Sequence, residues 1–242
     1  MVALPNKKSK LSKKGQVEEM FNNISNRYDL LNHLLSVNID KVWRRNVIRR
    51  IKQYHPKTIL DIATGTGDFA IAATKINGAH VTGIDISEGM LNVGQKKIEK
   101  RRLSDRIKLI KADSEDLPFE DNSFDAAMVG FGVRNFENLE KGLSEVRRVL
   151  KPGGVFFILE FSKPKKTPFK QVYHVYFNRI LPIVGRIISK DKNAYDYLPE
   201  SVNEFPCGES FLTILANVGL IKNTFYSQTF GIATIYESHK SK

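Results

Sequence analysis

A chain of 242 residues, 41% of them hydrophobic, can bury one full α/β core and demands no second domain. Its 38 basic against 26 acidic side chains give a net charge of +12, which attracts polyanions, either nucleic acid or an anionic membrane face, without choosing between them. The single cysteine, Cys207, excludes an intrachain disulfide and a multi-cysteine metal site, no metal is expected, and the lack of a long apolar run or an apolar signal-peptide core predicts a cytoplasmic protein.

Residues 1–15 carry Lys7, Lys8, Lys10, Lys13 and Lys14 among few apolar side chains and read as a basic, flexible tail. From Gln16 onward, Val17, Met20, Phe21, Ile24, Tyr28, Leu31 and Leu35 recur at three- and four-residue steps, the stripe of an amphipathic helix. A second helix carries Val42, Trp43, Val47 and Ile51, so 16–55 is an N-terminal helical section placed to cap a site. Strand and helix signals then alternate, with strands near 58–62, 80–85, 107–111, 125–130 and 154–161 and helices near 68–76, 88–102 and 138–150. This alternation over 56–162 predicts a Rossmann-like α/β core, a mostly parallel, doubly wound sheet with helices on both faces and ligands at the carboxyl ends of its strands.

Residues 163–206, rich in Tyr, Phe, Ile, Lys and Pro, read as a helical insertion over the substrate side of that core. In 207–242 a helix near 209–217 precedes strands near 220–228 and 231–237, which form an antiparallel edge hairpin and bring the sheet to seven strands.

The stretch Thr58 to Ala70, TILDIATGTGDFA, is an apolar strand that ends in a carboxylate and breaks into a Thr/Gly turn before a helix, a turn that lets a ligand approach bare backbone N–H groups. Gly65, Gly67 and Ala70 satisfy the loose dinucleotide pattern, and Asp85, 18 residues beyond Gly67, fits the acidic residue that holds ribose hydroxyls. Asp61 and Asp68 point elsewhere, because two carboxylates around the loop would meet a pyrophosphate with like charge. S-adenosyl-L-methionine, which has no phosphate and carries an ammonium and a sulfonium, suits the loop better. A purely structural reading makes Asp61 a strand-end residue and Asp68 a helix cap.

Further segments follow in the order a methyltransferase needs. Asp113 and Ser114 end the third strand, where a carboxylate can accept from an adenine amine, and Arg148 to Gly154, RVLKPGG, closes a helix with Pro and Gly before the fifth strand. With these, residues 45 to 240 resemble the class I S-adenosylmethionine-dependent methyltransferases. Tyr28, Asp29, Asn32, Ser36 and Trp43, the run Phe131 to Asn135 (FGVRN), Leu159 to Ser162 (LEFS) after RVLKPGG, and Ala194 to Ser201 (AYDYLPES) are similar to the motifs of the ubiquinone/menaquinone biosynthesis C-methyltransferase family. Asn38 and Asp40 stand where that family usually has Gly and His, and Gly130 stands where it often has a Ser contact, leaving a backbone contact only.

The resemblance implies cofactor contacts at Thr66 in the loop, Asp85 at the ribose, and Asp113 with Ser114 at the adenine, beside Asp61, Gly65, Gly67 and Gly130 around the turn. It implies methyl transfer from S-adenosyl-L-methionine, leaving S-adenosyl-L-homocysteine, to a ring carbon of a polyprenylated quinol. Demethylmenaquinol is favoured, and the 2-polyprenyl-6-methoxy-1,4-benzoquinol of ubiquinone biosynthesis is the alternative acceptor. Arg134, with Asn135 beside it, is the candidate cation that stabilises the phenolate, against a reading in which Arg134 only makes a structural ion pair. Tyr28, Tyr195 and His174 are candidates for ring packing or proton handling, with Tyr28 and Tyr195 taken as substrate residues.

The insertion's Phe169, Tyr173, Tyr176, Phe177, Ile180, Leu181 and Ile183, flanked by Lys165, Lys166 and Lys170, could rest on an anionic membrane, complete the core or form a homodimer interface. A nucleic-acid partner is not expected. The Asn/Asp-Pro-Pro-aromatic run that exocyclic-amine base methyltransferases place after the fourth strand is replaced by Gly130 to Asn135, and Cys207 lies far from that strand. A non-catalytic S-adenosylmethionine-binding protein is the reading from a different class, and retention of Asp61, Asp85 and Arg134 disfavours it.

Overall fold

The computed structural model describes residues 3–35, 38–164, 167–175 and 192–242. Its sheet has the order β3-β2-β1-β4-β5-β7-β6, built from β1 (Thr58–Ile62), β2 (His80–Asp85), β3 (Ile107–Lys111), β4 (Phe124–Gly130), β5 (Leu150–Phe161), β6 (Ile221–Gln228) and β7 (Ala233–His239). The first five strands pair in parallel, and β7 runs antiparallel to both β5 and β6, as the paired strand signals at the end of the chain predict.

Alternation across the pleat explains the continuous apolar runs. Ile59, Ala126, Met128, Val155, Phe157 and Leu159 feed one core, with Trp43, Val47 and Ile51 of α2 (Ile39–Ile51) and Phe69 of α3 (Asp68–Ala73). Leu60, Ile62, Ala127, Val129, Phe156 and Ile158 feed the opposite core, with Leu143 and Val146 of α5 (Leu139–Val149). The helix α4 (Glu88–Lys100) follows β2 and adds Ile98 to the first core, its N-terminus capped by the Ser87 hydroxyl accepting from the Met90 N–H at 3.2 Å.

Within the core, two boundaries differ from the sequence reading by three residues or more. The helix α3 stops at Ala73 rather than near 76, where the Thr74 hydroxyl turns back to the Ile71 carbonyl at 2.8 Å and competes with the helical pattern. The strand β5 begins at Leu150, directly after α5, and its Lys-Pro-Gly-Gly segment is absorbed as an irregularity against β4 between Phe124 and Ala126.

The N-terminal residues also depart from expectation. Lysines that suggested a flexible tail find specific acceptors: Lys7 pairs with Glu200 at 2.6 Å, Lys13 donates to the carbonyls of Arg134 and Phe136 at 3.1 and 2.7 Å, and Lys14 pairs with Asp113 at 2.6 Å. Ala3 is buried with Val17, Met20 and Ile24 of α1 (Lys13–Leu35), in a small core shared with Met90, Tyr197 and Val202. Burial of Ala3 and these lysine contacts dock the segment, and the first helix starts at Lys13, three residues before Gln16.

The described parts of the insertion are α6 (Phe169–Val175) and α7 (Lys192–Glu204), followed by α8 (Glu209–Asn217). Tyr176, Phe177, Ile180, Leu181 and Ile183, on which the proposed apolar face chiefly rests, lie outside the described residues. Among the described residues no helix is long and apolar enough to cross a membrane.

Candidate active site

The sheet order reverses between β1 and β4, so the loops leaving these two strands diverge around a crevice where a doubly wound sheet binds its ligands. The turn after β1 needs backbone that side chains resist: Ala63, Gly65 and Gly67 all have positive φ, at 51°, 57° and 77°. The turn after β4 lies close against it. A Cβ on Gly132 would come 2.6 Å from the Ala63 Cβ, so glycine is what lets the two loops meet.

Two adjoining hollows open on this crevice and share Ala63. The first is lined by Asp61, Thr64, Gly65, Thr66 and Gly130, with Tyr28 from α1 and Arg44 from α2 closing it. The second holds Asp85, Asp113, Ser114 and Asn135 under Lys14 and Val17 of α1. The structure thus brings Asp61, Gly65, Thr66, Gly130 and Tyr28 together on one side, and Asp85, Asp113, Ser114 and Asn135 on the other. Gly67 does not line either cavity; it is the left-handed residue that starts α3.

Asp61 is fully buried, and only one of its oxygens is satisfied. Oδ2 accepts from the Thr64 hydroxyl at 2.6 Å, whereas Oδ1 has no hydrogen-bond partner. Burial drives its pKa up to about 7, against the downward pull of the Thr64 hydroxyl and the Ala70 backbone N–H. A buried carboxylate oxygen without a partner, on a residue that lines the cavity, calls for a donor, and a cationic one suits it best. Asp85 is likewise pushed up, to about 6, by burial, opposed by the N–H groups of Ser87 and Gly65, each 2.8 Å from its carboxylate.

Several pairings, and the roles of Lys97 and Asn22, were invisible in the sequence because they act across elements. The Thr66 hydroxyl donates to Asp29 of α1, and Lys97 of α4 bridges Asp29, at 2.7 Å, and Asp68. Asn22 of α1 accepts from the Ser87 hydroxyl at 2.8 Å and the Gly89 N–H at 2.9 Å, pinning the cap to the start of α4. The substitution at Gly130 has a steric reason here: a Cβ at that position would lie 2.9 Å from the Phe69 ring, which occupies the space a larger side chain would need.

Arg134 lines neither cavity. Its Nη1 pairs with Oε1 of Glu160 at 2.8 Å, with 8% and 0% of the two side chains exposed, and it also donates to the Phe131 carbonyl. Its guanidinium lies 5.5 Å from the centre of the Phe161 ring, while Nε is buried without a hydrogen-bond partner. Asn135 accepts from the Tyr197 hydroxyl at 3.1 Å, so the runs FGVRN, LEFS and YLPES, distant in sequence, converge at one place. The side chains of Tyr195 and His174 lie outside the described residues.

The donor set fits S-adenosyl-L-methionine: a carboxylate with an unpartnered oxygen for an ammonium in one cavity, and acidic side chains for ribose hydroxyls and an adenine amine in the next. Comparison with known proteins agrees. A curated demethylmenaquinone methyltransferase of Bacteroides fragilis is 48% identical over 94% of each chain, and a ubiquinone/menaquinone biosynthesis C-methyltransferase UbiE of Geotalea daltonii is 45% identical over 96% of this chain and 99% of its own. The crystal structure of a SAM-dependent methyltransferase from Aquifex aeolicus superposes with a TM-score of 0.55 at 20% identity, covering 76% of this chain and 81% of its own, which speaks for the fold. The model of the ubiE/COQ5 methyltransferase family matches residues 8–240, and the chain belongs to that family.

Proposed function

We propose that this S-adenosylmethionine-dependent C-methyltransferase methylates a ring carbon of demethylmenaquinol, giving menaquinol and S-adenosyl-L-homocysteine, with the hydrogen of that ring carbon leaving as a proton. The observation that carries the methyl-donor half is the unpartnered oxygen of Asp61, a residue that lines the first cavity; the acceptor half rests on the 48% identity to a demethylmenaquinone methyltransferase. When bound, S-adenosyl-L-methionine supplies an electrophilic methyl group.

The acceptor must then be electron-rich. A quinone ring is electron-poor, whereas a quinol pushes density from its hydroxyl onto the adjacent carbon as that hydroxyl loses its proton. Because positive charge on the donor and negative charge on the phenolate disappear together during transfer, fixed charge at the methyl itself helps little. Alignment by Asp61, Thr66 and the two tight loops is the larger effect, of the order of 7–11 kcal/mol.

Arg134 acts, in this reading, beside the acceptor: Glu160 holds the guanidinium in place, and its remaining N–H groups favour the phenolate over the phenol. Tyr28 packs against the ring from the first cavity. Contact with an anionic bilayer, favoured by the charge of +12, would give access to a polyprenylated substrate. Lipid extraction from a deletion strain tests the proposal: accumulation of demethylmenaquinone supports it, and accumulation of a demethylated ubiquinone precursor instead assigns the other acceptor.

A further inference from the structure

The first cavity is lined, along with Asp61, by an arginine that none of the sequence motifs singled out, and its charge favours the ionised form of Asp61. Arg44 lies on α2, one turn after Asp40, and its side chain is 12% exposed where it lines the cavity. The helix that carries it is fixed: the neighbouring Trp43 donates from Nε1 to the Thr229 hydroxyl at 2.7 Å, and its indole packs against the rings of Phe131 and Phe161. Both ion pairs of Arg44 among the described residues, to Asp40 at 2.6 Å and to Asp68 at 3.6 Å, run through Nη1. A guanidinium has five N–H groups in a rigid fork, so those on Nε and Nη2 remain for another carboxylate.

The cavity is therefore lined by a carboxylate with one unpartnered oxygen and by an arginine whose ion pairs among the described residues use Nη1 alone. A ligand carrying only an amine would be matched by Asp61 alone, and the cation of Arg44 would oppose it. An α-amino acid end matches both, ammonium to Asp61 and carboxylate to Arg44. We propose that Arg44 is the carboxylate-binding residue of the S-adenosylmethionine site and that, with Asp61, it selects ligands with an intact amino acid end; this rests on the assignment of the two cavities to that cofactor.

Calorimetric titration of the full chain with S-adenosyl-L-methionine and with its decarboxylated analogue, which keeps the amine and lacks the carboxylate, tests this directly. The wild-type chain is expected to prefer the intact ligand, and Arg44→Gln to shift the ratio of the two affinities by about tenfold or more toward the decarboxylated one. Arg44→Lys retains the charge beside Asp40 and Asp68 while removing the fork; it is expected to lower the same ratio by about threefold or more, and it carries the test if Arg44→Gln does not fold. An unchanged ratio in the folded variants, or equal loss for both ligands, overturns the proposal and leaves Arg44 as a neutraliser of Asp40 and Asp68. Failure of the wild-type chain to bind either ligand would instead overturn the cofactor assignment beneath it.

Discussion

Asp61 accepts from the Thr64 hydroxyl through Oδ2 at 2.6 Å while its buried Oδ1 has no hydrogen-bond partner, so one side chain that lines the first cavity is only partly satisfied by hydrogen bonds. Asp61→Asn preserves the shape and removes the charge. It is expected to weaken binding of S-adenosyl-L-homocysteine by about 10- to 100-fold, through loss of a charge-assisted hydrogen bond, while leaving the fold intact. Titration calorimetry measures it, and affinity within twofold of wild type would remove Asp61 from the ammonium contact.

The same carboxylate ties stability to pH. Its folded pKa of about 7 stands above an unfolded value near 3.9, so the proton is held more tightly in the folded chain. As pH rises from about 4 to about 7, ionisation therefore favours the unfolded state, and the unligated protein loses the stability that the buried, protonated carboxyl allowed. Asp61→Asn has no such proton, so its stability is expected to gain on wild type across that window in thermal melts at successive pH values. Parallel curves would contradict the raised value.

Ligand binding reverses the preference of this group. An ammonium favours the ionised carboxylate, so binding near pH 6.5, where an α-amine is already largely protonated, is expected to release protons. Calorimetry in two buffers of different ionisation enthalpy reads that release, which Asp61→Asn is expected to reduce. Equal release from both proteins would place the proton on another group.

Gly130 and Phe69 form a second tight relationship. Gly130→Ser, which introduces the side chain often found in the family at this position, pushes a Cβ to 2.9 Å from the ring and is expected to destabilise the chain by about 1–3 kcal/mol. Adding Phe69→Leu is expected to recover part of that loss. Denaturant unfolding of the single and double variants checks the coupling, and additive effects would show that the ring does not fill the space.

For Arg134 the difficulty is separating folding from chemistry, because its partner Glu160 is fully buried. Arg134→Ala strands that carboxylate and is expected to cost about 3–5 kcal/mol of stability, along with about 100-fold or more in turnover of the reduced quinol. The double variant Arg134→Met with Glu160→Leu removes both charges and is expected to regain most of the stability without regaining turnover. Wild-type turnover in that variant would assign the ion pair to folding alone.

Much of the architecture could be read from residue order. The apolar runs at Thr58–Ile62 and Phe124–Gly130, the Thr/Gly turn and the strand-ending Asp85 are local signals, and each specifies its own element. What the sequence could not display was pairing between elements. Lys14 reaching Asp113, Lys97 joining Asp29 to Asp68, and Arg44 lining one cavity with Asp61 depend on how α1, α2 and α4 pack on the sheet, and basic residues in a polar run look the same whether solvated or docked. Likewise, the glycine at 130 reads as the loss of a contact until the Phe69 ring is seen against it.

The most direct measurement follows methyl transfer itself. The purified chain is incubated with S-adenosyl-L-methionine labelled with carbon-13 at the methyl group and with demethylmenaquinol in anionic lipid vesicles, held reduced in one sample and oxidised in the other. Label is expected on a ring carbon in the reduced sample, with at least about 100-fold less in the oxidised one. Transfer at equal rates to the oxidised quinone, or none to the reduced quinol, would contradict methylation of an electron-rich quinol ring.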